Sequence, residues 1–170
     1  MLIRREVPGD RAAVHDVPRA AFGKDAGPPP VEAVLLEALR ECDGWLPALS
    51  CVAVVEGEVV GHVVGTRGYV GERPGVGLGP LSVRPEHQRR GVGLALVHTV
   101  LGAADALGEP FVALLGSPEY YGRFGFGPAA GHGIEAPDPA WGRYFQVRPL
   151  TAHDPAVRGT FRYAEPFDRV

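Results

Sequence analysis

A strand–helix–strand unit in the middle of the chain limits the possible folds more than any other feature of this 170-residue sequence. Leu78–Val83 has the pattern of a strand, and Pro85 ends it. Gly91–Leu107 has the spacing of an amphipathic helix, with a predicted apolar face of Leu96, Val100, Ala103 and Leu107. Phe111–Leu115 is a continuous apolar run, which is typical of a strand buried on both faces. Two strands joined in this way are expected to be parallel, with a right-handed crossover.

Around this unit the sequence alternates further strand and helix patterns. Strands are predicted over Leu2–Val7, Cys51–Val55, Glu58–Gly65, Tyr144–Arg148 and Thr160–Tyr163. Helices are predicted over Arg11–Phe22, Val31–Glu41 and Glu119–Phe124. No repeat or composition shift divides the chain, and a chain of this length normally forms one domain. We therefore predict a single mixed α/β (α+β) domain over residues 1–170.

Glycine, proline and capping residues predict where these elements begin and end. Asp10 is the expected N-cap of the helix that begins at Arg11, and Pro18 is expected to break or kink that helix. The glycine-rich segment Gly71–Gly77 is predicted to be a loop before the strand at Leu78. The predicted buried face of the second helix comprises Val31, Val34, Leu35, Ala38 and Leu39.

Charge and cysteine content argue against several classes of protein. The formal net charge is −3, and no basic block is longer than Arg89-Arg90, so a nucleic-acid partner is not expected. Cys42 and Cys51 form no CxxC pair, and the six histidines lack metal-ligand spacing, so no metal site is predicted. The N-terminus is charged where a signal peptide is apolar, and Leu94–Leu107 is too short to span a bilayer. We expect a cytoplasmic protein with reduced thiols and no membrane partner.

The glycine pair Gly91-Val92-Gly93, at the start of the central helix, predicts an anion site. Backbone N–H groups at a helix N-terminus lack intrahelical partners and carry a partial positive charge. Glycines let an anion approach this backbone, and the adjacent Arg89 and Arg90 add positive charge, which suits a diphosphate. Turns of this kind also occur where only packing requires them.

Two other phosphate-binding motifs are excluded. A P-loop is excluded because Lys24 is the only lysine, and the dinucleotide-binding pattern fails because its third glycine is replaced by Leu96.

At this turn, and on both sides of it, the sequence resembles the GCN5-related N-acetyltransferases (GNAT). Gln88-Arg89-Arg90-Gly91-Val92-Gly93 matches the family signature Q/R-x-x-G-x-G/A. The likeness extends to Gly79–Glu86 and Tyr120–Phe126, where it is most similar to the bacterial YhbS-type branch of predicted acetyltransferases. It is looser over Leu2–Val70 and thin beyond Ala130. The resemblance implies a mostly antiparallel sheet with a central splayed pair of parallel strands, flanked by helices.

The resemblance also implies a donor substrate and the residues that hold it. Family members bind acetyl-coenzyme A (acetyl-CoA) as co-substrate, with its diphosphate in the glycine turn and its pantetheine arm between the splayed strands. The donor-binding residues expected from this likeness are Leu81, Ser82, Val83, Gln88, Arg89, Arg90, Gly91, Val92, Gly93, Leu94 and Ser117. No metal is implied.

The likeness assigns catalytic chemistry to one side chain. Family members commonly use the tyrosine of a Tyr-x-x-x-Gly-Phe segment to protonate the departing thiolate, and the matching residue is Tyr121. The N–H of Leu81 is the expected hydrogen-bond donor to the oxyanion, and Tyr120 is expected to pack in the core. Many relatives carry a general-base Glu on the splayed strand, but Leu78–Leu81 has no carboxylate, so the base stays unassigned.

Three functions follow as hypotheses. The first is an acetyl-CoA-dependent N-acetyltransferase, in which a primary amine attacks the thioester directly in a ternary complex. The alternative is a non-catalytic acyl-CoA-binding regulatory module, favoured by the missing carboxylate, and the third is a structural or interaction domain that binds no coenzyme. The acceptor, a small-molecule or protein amine, is expected near Phe22–Pro30, Trp45 and Tyr69, where Asp43 and Glu41 can attract an ammonium group. Both a monomer and a homodimer are compatible with the sequence.

Overall fold

The computed structural model describes residues 1–170 and contains a nine-stranded sheet with helices on both faces. The strands are β1 Leu2–Arg5, β2 Trp45–Val55, β3 Glu58–Val70, β4 Arg73–Val83, β5 Phe111–Leu115, β6 Gly127–Pro128, β7 Ile134–Glu135, β8 Phe145–Pro149 and β9 Gly159–Arg162. The helices are α1 Arg11–Phe22, α2 Val31–Glu41, α3 Val92–Ala106 and α4 Pro118–Tyr121. Short 3₁₀ turns connect several of these elements.

The predicted strand–helix–strand unit lies at the centre of the sheet as β4, α3 and β5. The strand order is β1-β2-β3-β4-β5-β8-β6, and β9 pairs with both β3 and β7. Along the main path every pair is antiparallel except β4 and β5, which are parallel. The predicted mixed α/β fold, with a mostly antiparallel sheet and a central parallel pair, is therefore confirmed.

The parallel strands stay together over only two residues each. Val76 pairs with Val112, and Gly77 pairs with Ala113. Beyond these residues, β4 continues to Val83 paired with β3 alone, while the end of β5 pairs with β8 alone. Backbone N–H and C=O groups on the separated strand edges need hydrogen-bond partners. The parting strands therefore open a gap that suits a ligand bearing amides.

Different segments cover the two faces of the sheet. On the α3 face, α3 lies so close that a Cβ on Gly61 of β3 would approach Val92 and Leu96 to 3.0 Å. On the opposite α1/α2 face, residues of α1 and α2 such as Val14 and Leu36 pack against β2 and β3 in a separate buried cluster. Because each face has its own core, side chains that alternate along β4 point into different environments.

The predicted loop at Gly71–Gly77 is wrong, because β4 already begins within it. Its glycines make room for aromatic rings from other segments. Gly75 lies under the ring of Phe111, and a Cβ on Gly77 would lie 2.7 Å from the ring of Tyr163. The apolar side chains that pack on these glycines therefore come from distant parts of the chain. The local pattern of polar and apolar residues does not show that this segment is a strand.

Two predictions about α1 are wrong in part: the capping hydrogen bond and the break at Pro18 are absent. Asp10 occupies the N-cap position, as predicted, but its side chain makes no cap hydrogen bond to α1. Its carboxylate instead accepts hydrogen bonds from the Arg4 guanidinium, at 2.6 and 3.0 Å, and from the Val7 N–H at 2.9 Å. The helix runs from Arg11 to Phe22 without interruption at Pro18, which is buried. Packing of this helix on the sheet outweighs the one backbone hydrogen bond that proline removes.

The predicted buried face of α2 is rotated by about one residue. Val31 and Val34 are 57% and 50% exposed, while the buried residues are Ala33, Leu35, Leu36 and Leu39. Adjacent leucines fit two helical faces equally well, so periodicity alone chose the wrong one. In α3 the predicted face is correct at Leu96 and Val100, but Leu107 lies beyond the helix and is exposed.

None of the helices combines the length and apolarity needed to cross a bilayer. Cys42 and Cys51 are free thiols, the first half-buried and the second buried. Burial raises the pKa of the Cys51 thiol to about 11, so Cys51 is a weak nucleophile near neutral pH.

Candidate active site

The turn before α3 places unpaired backbone N–H groups at the end of β4. Gly91 adopts a left-handed conformation, with φ +82°, directly before the helix. The first helical hydrogen bond runs from the Ala95 N–H to the Gly91 carbonyl at 3.0 Å. The N–H groups of Val92, Gly93 and Leu94 precede that bond, and no side chain caps them. Uncapped N–H groups at a helix N-terminus, together with the helix dipole, favour negatively charged ligands.

Two polar side chains shape this turn. Gln88 donates from Nε2 to the carbonyl of Val83 at 2.9 Å, which fastens the turn to the end of β4. Arg89 is exposed and has φ +58°, an unfavourable conformation for a residue with a side chain. Backbone of this kind is concentrated at ligand sites because the ligand-binding geometry requires it. Neither Arg89 nor Arg90 forms an ion pair, so both charges are available to an anion.

The turn opens into a cavity of about 490 Å³, which we call the glycine-turn pocket. Its lining residues are Ala21, Phe22, Leu81, Val83, Gln88, Arg89, Gly91, Val92, Gly93, Leu94, Tyr120 and Arg123. The structure thus brings together eight of the eleven donor-binding residues predicted from the sequence. The pocket joins the splayed end of β4, the N-terminus of α3, the end of α1 and the α4 segment.

Three of the predicted donor-binding residues do not line this pocket. Ser82 is buried and pairs with His62, so its side chain points to the α1/α2 face. Arg90 is exposed beside the turn. The Ser117 hydroxyl accepts a hydrogen bond from the Tyr120 N–H at 3.4 Å and donates to Glu119 at 2.9 Å, so it caps α4.

Tyr121 lies next to the splayed end of β5. Its ring covers Gly116, which follows β5 directly, and it packs against Phe124 and Phe126 with ring centroids 6.1 and 5.9 Å away. Burial, and then the neighbouring Tyr120, raise the pKa of the Tyr121 phenol to about 12. The phenol therefore stays protonated across the neutral range and is able to donate a proton.

Tyr120 lines the glycine-turn pocket as well as packing against the core. Its hydroxyl lies 2.8 Å from the position that a Cβ on Gly93 would occupy. The guanidinium of Arg123 lies over its ring, 4.9 Å from the centroid. A ligand at the N-terminus of α3 would therefore meet both Tyr120 and Arg123.

A buried polar cluster lies on the α1/α2 face. Ser50 Oγ lies 2.8 Å from Nε2 of His62 and donates to the Glu6 carboxylate, which also pairs with Arg40 at 2.8 Å. Burial alone would raise the pKa of Glu6, but hydrogen bonds from His62 and Ser50 and the charge of Arg40 lower it to about 2. Burial lowers the pKa of His62. This cluster ties α2 to β2 and β3, and it lines neither large cavity.

The residues expected to surround the acceptor lie in three places. Phe22 is part of the glycine-turn pocket, and the Trp45 ring packs under the Arg40 guanidinium, 4.6 Å from its centroid. Glu41, Asp43 and Tyr69 instead line a second cavity of about 1160 Å³ at the end of α2, which we call the acidic cavity.

Comparison with known proteins identifies the family. Residues 12–126 match the family model described as the acetyltransferase (GNAT) family. The uncharacterized N-acetyltransferase YhbS of Escherichia coli is 35% identical, over 99% of both chains. The chain belongs to the GNAT family. The expected family and its YhbS-type branch are thereby confirmed.

Solved structures of other GNAT proteins agree with this fold. A crystal structure of E. coli YhbS in complex with CoA has a TM-score of 0.87 and 35% identity, covering 99% of this chain and 92% of that one. A GNAT acetyltransferase from Brucella melitensis in complex with acetyl-CoA has a TM-score of 0.78 and 32% identity, covering 98% and 97% of the two chains.

Sequence reasoning missed part of this GNAT pocket. Ala21 and Arg123 were not singled out, Tyr120 was expected only in the core, and Phe22 was expected on the acceptor side. The Tyr120–Phe126 motif contained a signal for two of them, because Arg123 follows Tyr120 by three residues and helical spacing places such residues on one side. The contribution of α1 depends on tertiary packing and has no local signal. The structure contains no cluster of His, Cys, Asp or Glu side chains arranged to hold a metal.

Proposed function

We propose that this GNAT protein transfers the acetyl group of acetyl-CoA to a primary amine by direct attack in a ternary complex. The observation that carries the proposal is the set of uncapped N–H groups at Val92, Gly93 and Leu94, which open into the pocket beside the parting β4 and β5 strands. Family membership supports the acetyltransferase class, and the complexes of two relatives with CoA and acetyl-CoA support the donor.

In the proposed donor complex, the diphosphate accepts hydrogen bonds from the three N–H groups at the start of α3. Arg89 and Arg123, on two sides of the pocket, add positive charge. The pantetheine amides pair with the free backbone edge of β4 over Leu81–Val83, in the gap left by β5. Because these contacts are made by backbone, the apolar side chains of Leu81 and Val83 are compatible with donor binding.

In the proposed reaction, the neutral amine nitrogen attacks the thioester carbonyl carbon. A C–N bond forms, the carbonyl oxygen becomes an oxyanion, and the Leu81 N–H stabilises that charge. The C–S bond then breaks, and Tyr121 donates its proton to the CoA sulfur. The amine nitrogen releases one proton to solvent water, and the Tyr121 phenolate regains a proton from solvent once CoA leaves. Phe124 and Phe126, packed on Tyr121, hold the phenol in place and exclude water from it.

The missing carboxylate on β4 favours a second candidate, a non-catalytic module that binds acyl-CoA and regulates another protein. Residues Leu78–Val83 provide no general base, and the nearest buried cluster of titratable groups is occupied with its own partners. Such a module would bind acetyl-CoA through the same turn but release no thiol with any amine.

A combined binding and thiol-release experiment separates these functions. Acetyl-CoA affinity is measured by calorimetry, and CoA release is measured with a panel of primary amines. The proposal expects donor binding and amine-dependent thiol release, with both reduced in Arg89→Glu and unchanged in Arg5→Glu, an exposed arginine far from the pocket. Donor binding without thiol release would favour the regulatory module, and absence of donor binding would contradict both.

A further inference from the structure

The acidic cavity is large, open and unrelated to the glycine turn. It holds about 1160 Å³ and is formed by the end of α2 with the turn that follows it, the end of β3, residues 137–141 and the segment from β9 to the C-terminus. Its volume exceeds the range of ~300–1,000 Å³ usual for small-molecule sites. Nothing in the donor chemistry described above uses it.

The charges around this cavity are unbalanced. Five carboxylates line it, those of Glu41, Asp43, Asp138, Glu165 and Asp168, against three arginines. Two of the three arginines are already neutralised, and so are two of the five carboxylates, because Glu165 pairs with one of these arginines and Glu41 pairs with Arg11 at 2.9 Å. Arg67 is held by Glu109 at 2.6 and 2.7 Å, and Arg169 is held by Glu165 at 2.8 Å.

The remaining charges favour a cationic ligand. Asp43 and Asp168 form no ion pair, and the third arginine, Arg162, donates to the Gly71 carbonyl at 3.0 Å and lies over the ring of Tyr69. Carboxylates without a protein counter-ion at the wall of an open cavity attract cations and raise their local concentration.

The remaining wall is aromatic. Trp141, Tyr163 and Phe167 line the cavity, with Tyr163 stacked 4.5 Å from Phe167 and 6.3 Å from Trp141, measured between ring centroids. Aromatic faces attract ammonium groups and also bind the methylene chains between them. A wall that combines carboxylates with aromatic rings therefore suits a flexible molecule with several ammonium groups separated by short alkyl segments.

The cavity meets the sheet where the parallel strands part. The Tyr163 ring lies over Gly77, the last β4 residue that pairs with β5. Gly77 pairs with Thr66 of β3, whereas Val83 of the glycine-turn pocket pairs with Gly61, which faces α3. Because Gly61 and Thr66 are five residues apart on one strand, they point to opposite faces. Gly77, beneath the acidic cavity, therefore faces away from α3, whereas Val83 of the glycine-turn pocket faces towards it.

We propose that the acidic cavity is the acceptor site and that the acceptor is a small polyamine with two or more ammonium groups. This inference rests on the proposed acetyltransfer. The carboxylates hold the distal ammonium groups while one terminal amine extends past Tyr163 towards the thioester. A second positive charge in the same molecule lowers the pKa of the reacting amine, because like charges disfavour ionisation. A polyamine therefore supplies more neutral nucleophile without help from the protein, which fits a β4 strand with no carboxylate.

Three probes and one double variant test the proposal. Spermidine represents polyamines, 1-aminobutane is the matched monoamine, and a short peptide with a free N-terminus represents protein acceptors. Asp43→Asn/Asp168→Asn removes two unpaired charges, and Asp16→Asn, exposed on α1 outside both cavities, is the matched control. Spermidine binding is measured by calorimetry without acetyl-CoA, and kcat/KM is measured for each amine.

We expect the double variant to weaken spermidine binding and lower its kcat/KM by roughly tenfold, since exposed ion pairs each contribute a fraction of a kcal/mol to about 1 kcal/mol. KM for acetyl-CoA and kcat/KM for 1-aminobutane should not change, and Asp16→Asn should match the parent. Equal spermidine binding in parent and double variant would overturn the proposal. So would a monoamine or peptide acetylated as efficiently as spermidine.

The failure of the proposed function would look different. If no amine released thiol, but spermidine bound the parent and bound the double variant weakly, acetyltransfer would be contradicted and the acidic cavity would remain a polyamine site.

Discussion

The glycine-turn pocket and the acidic cavity share no lining residue and are built in opposite ways. The pocket offers mainly backbone donors, most of them from the continuous segment Leu81–Leu94. The cavity offers side-chain charge and aromatic rings, gathered from four separate segments. Ligand binding to backbone groups is weakened when a substitution adds atoms that block them. Ligand binding to charged side chains is weakened when a substitution removes the charge. The two sites should therefore respond to different substitutions.

The largest expected effect separates the two adjacent tyrosines. Tyr121→Phe should lower kcat by ~10²–10⁴-fold, the range for losing a general acid, while acetyl-CoA still binds. Tyr120→Phe should mainly raise KM for acetyl-CoA, because its hydroxyl faces Gly93 in the pocket. Steady-state kinetics with both variants checks this, and equal losses of kcat would remove Tyr121 from the proposed chemistry.

The pH at which Tyr121 titrates sharpens the same test. Burial raises the pKa of this phenol to about 12, so it stays protonated, and able to donate, throughout the range in which the enzyme is assayed. The rate should therefore rise with pH as the acceptor amine becomes neutral and should show no decline from Tyr121 near pH 10. If the rate of the parent fell near pH 10 and this fall were absent in Tyr121→Phe, the buried environment assigned to Tyr121 would be contradicted.

The next effect belongs to the α1/α2 face and concerns stability. The pKa of Glu6 in the folded state is about 2, below its ordinary value of 4.5. Ionised Glu6 therefore stabilises the folded state fully above pH 4.5, and this stabilisation is lost as the pH falls towards 2. The pKa of His62 is also lowered, by burial, so its protonation destabilises the fold below about pH 6.5. The free energy of unfolding should fall on acidification, by about 2 kcal/mol for Glu6 after allowing for solvent screening.

Denaturant titrations at several pH values measure this loss. Glu6→Gln should be less stable than the parent at pH 7, and the difference should shrink towards pH 3. A constant difference would show that Glu6 contributes through packing alone.

The smallest effect compares two glycines of the same helix. A Cβ on Gly93 would crowd the Tyr120 hydroxyl at 2.8 Å and the anion site, so Gly93→Ala should weaken acetyl-CoA binding by about tenfold. Gly102 has nothing within 4 Å of the Cβ position, so Gly102→Ala should leave binding unchanged and stabilise the helix by about 0.5–1 kcal/mol. Equal binding by both variants would place the donor away from this turn.

The sequence predicted the donor side better than the acceptor side because the donor side is local. The strand, the turn Gln88–Gly93 and the following helix form one continuous pattern, and the structure brings most of its residues into one pocket. The glycines of β4 misled the prediction, because their packing partners, Phe111 and Tyr163, lie 36 and 86 residues away from Gly75 and Gly77.

The acidic cavity could not be predicted as a unit. Asp43 and Glu41 were expected to attract an ammonium group, but Trp141, Tyr163 and Asp168 lie in the C-terminal segment, where the likeness to the family is thin. Their approach to the end of α2 depends on β9 pairing with β3, a contact between distant parts of the chain. Ordinary local patterns carry no information about such a pairing.

The central claim is that backbone N–H groups at the start of α3 bind the diphosphate of the donor. Amide NMR spectra recorded during titration with acetyl-CoA, and separately with S-acetylpantetheine, which has no diphosphate, test it most directly. We expect acetyl-CoA to shift the amide resonances of Val92, Gly93 and Leu94, and S-acetylpantetheine to bind more weakly and leave them in place. Equal affinity for both molecules, with these three resonances unmoved, would contradict the account.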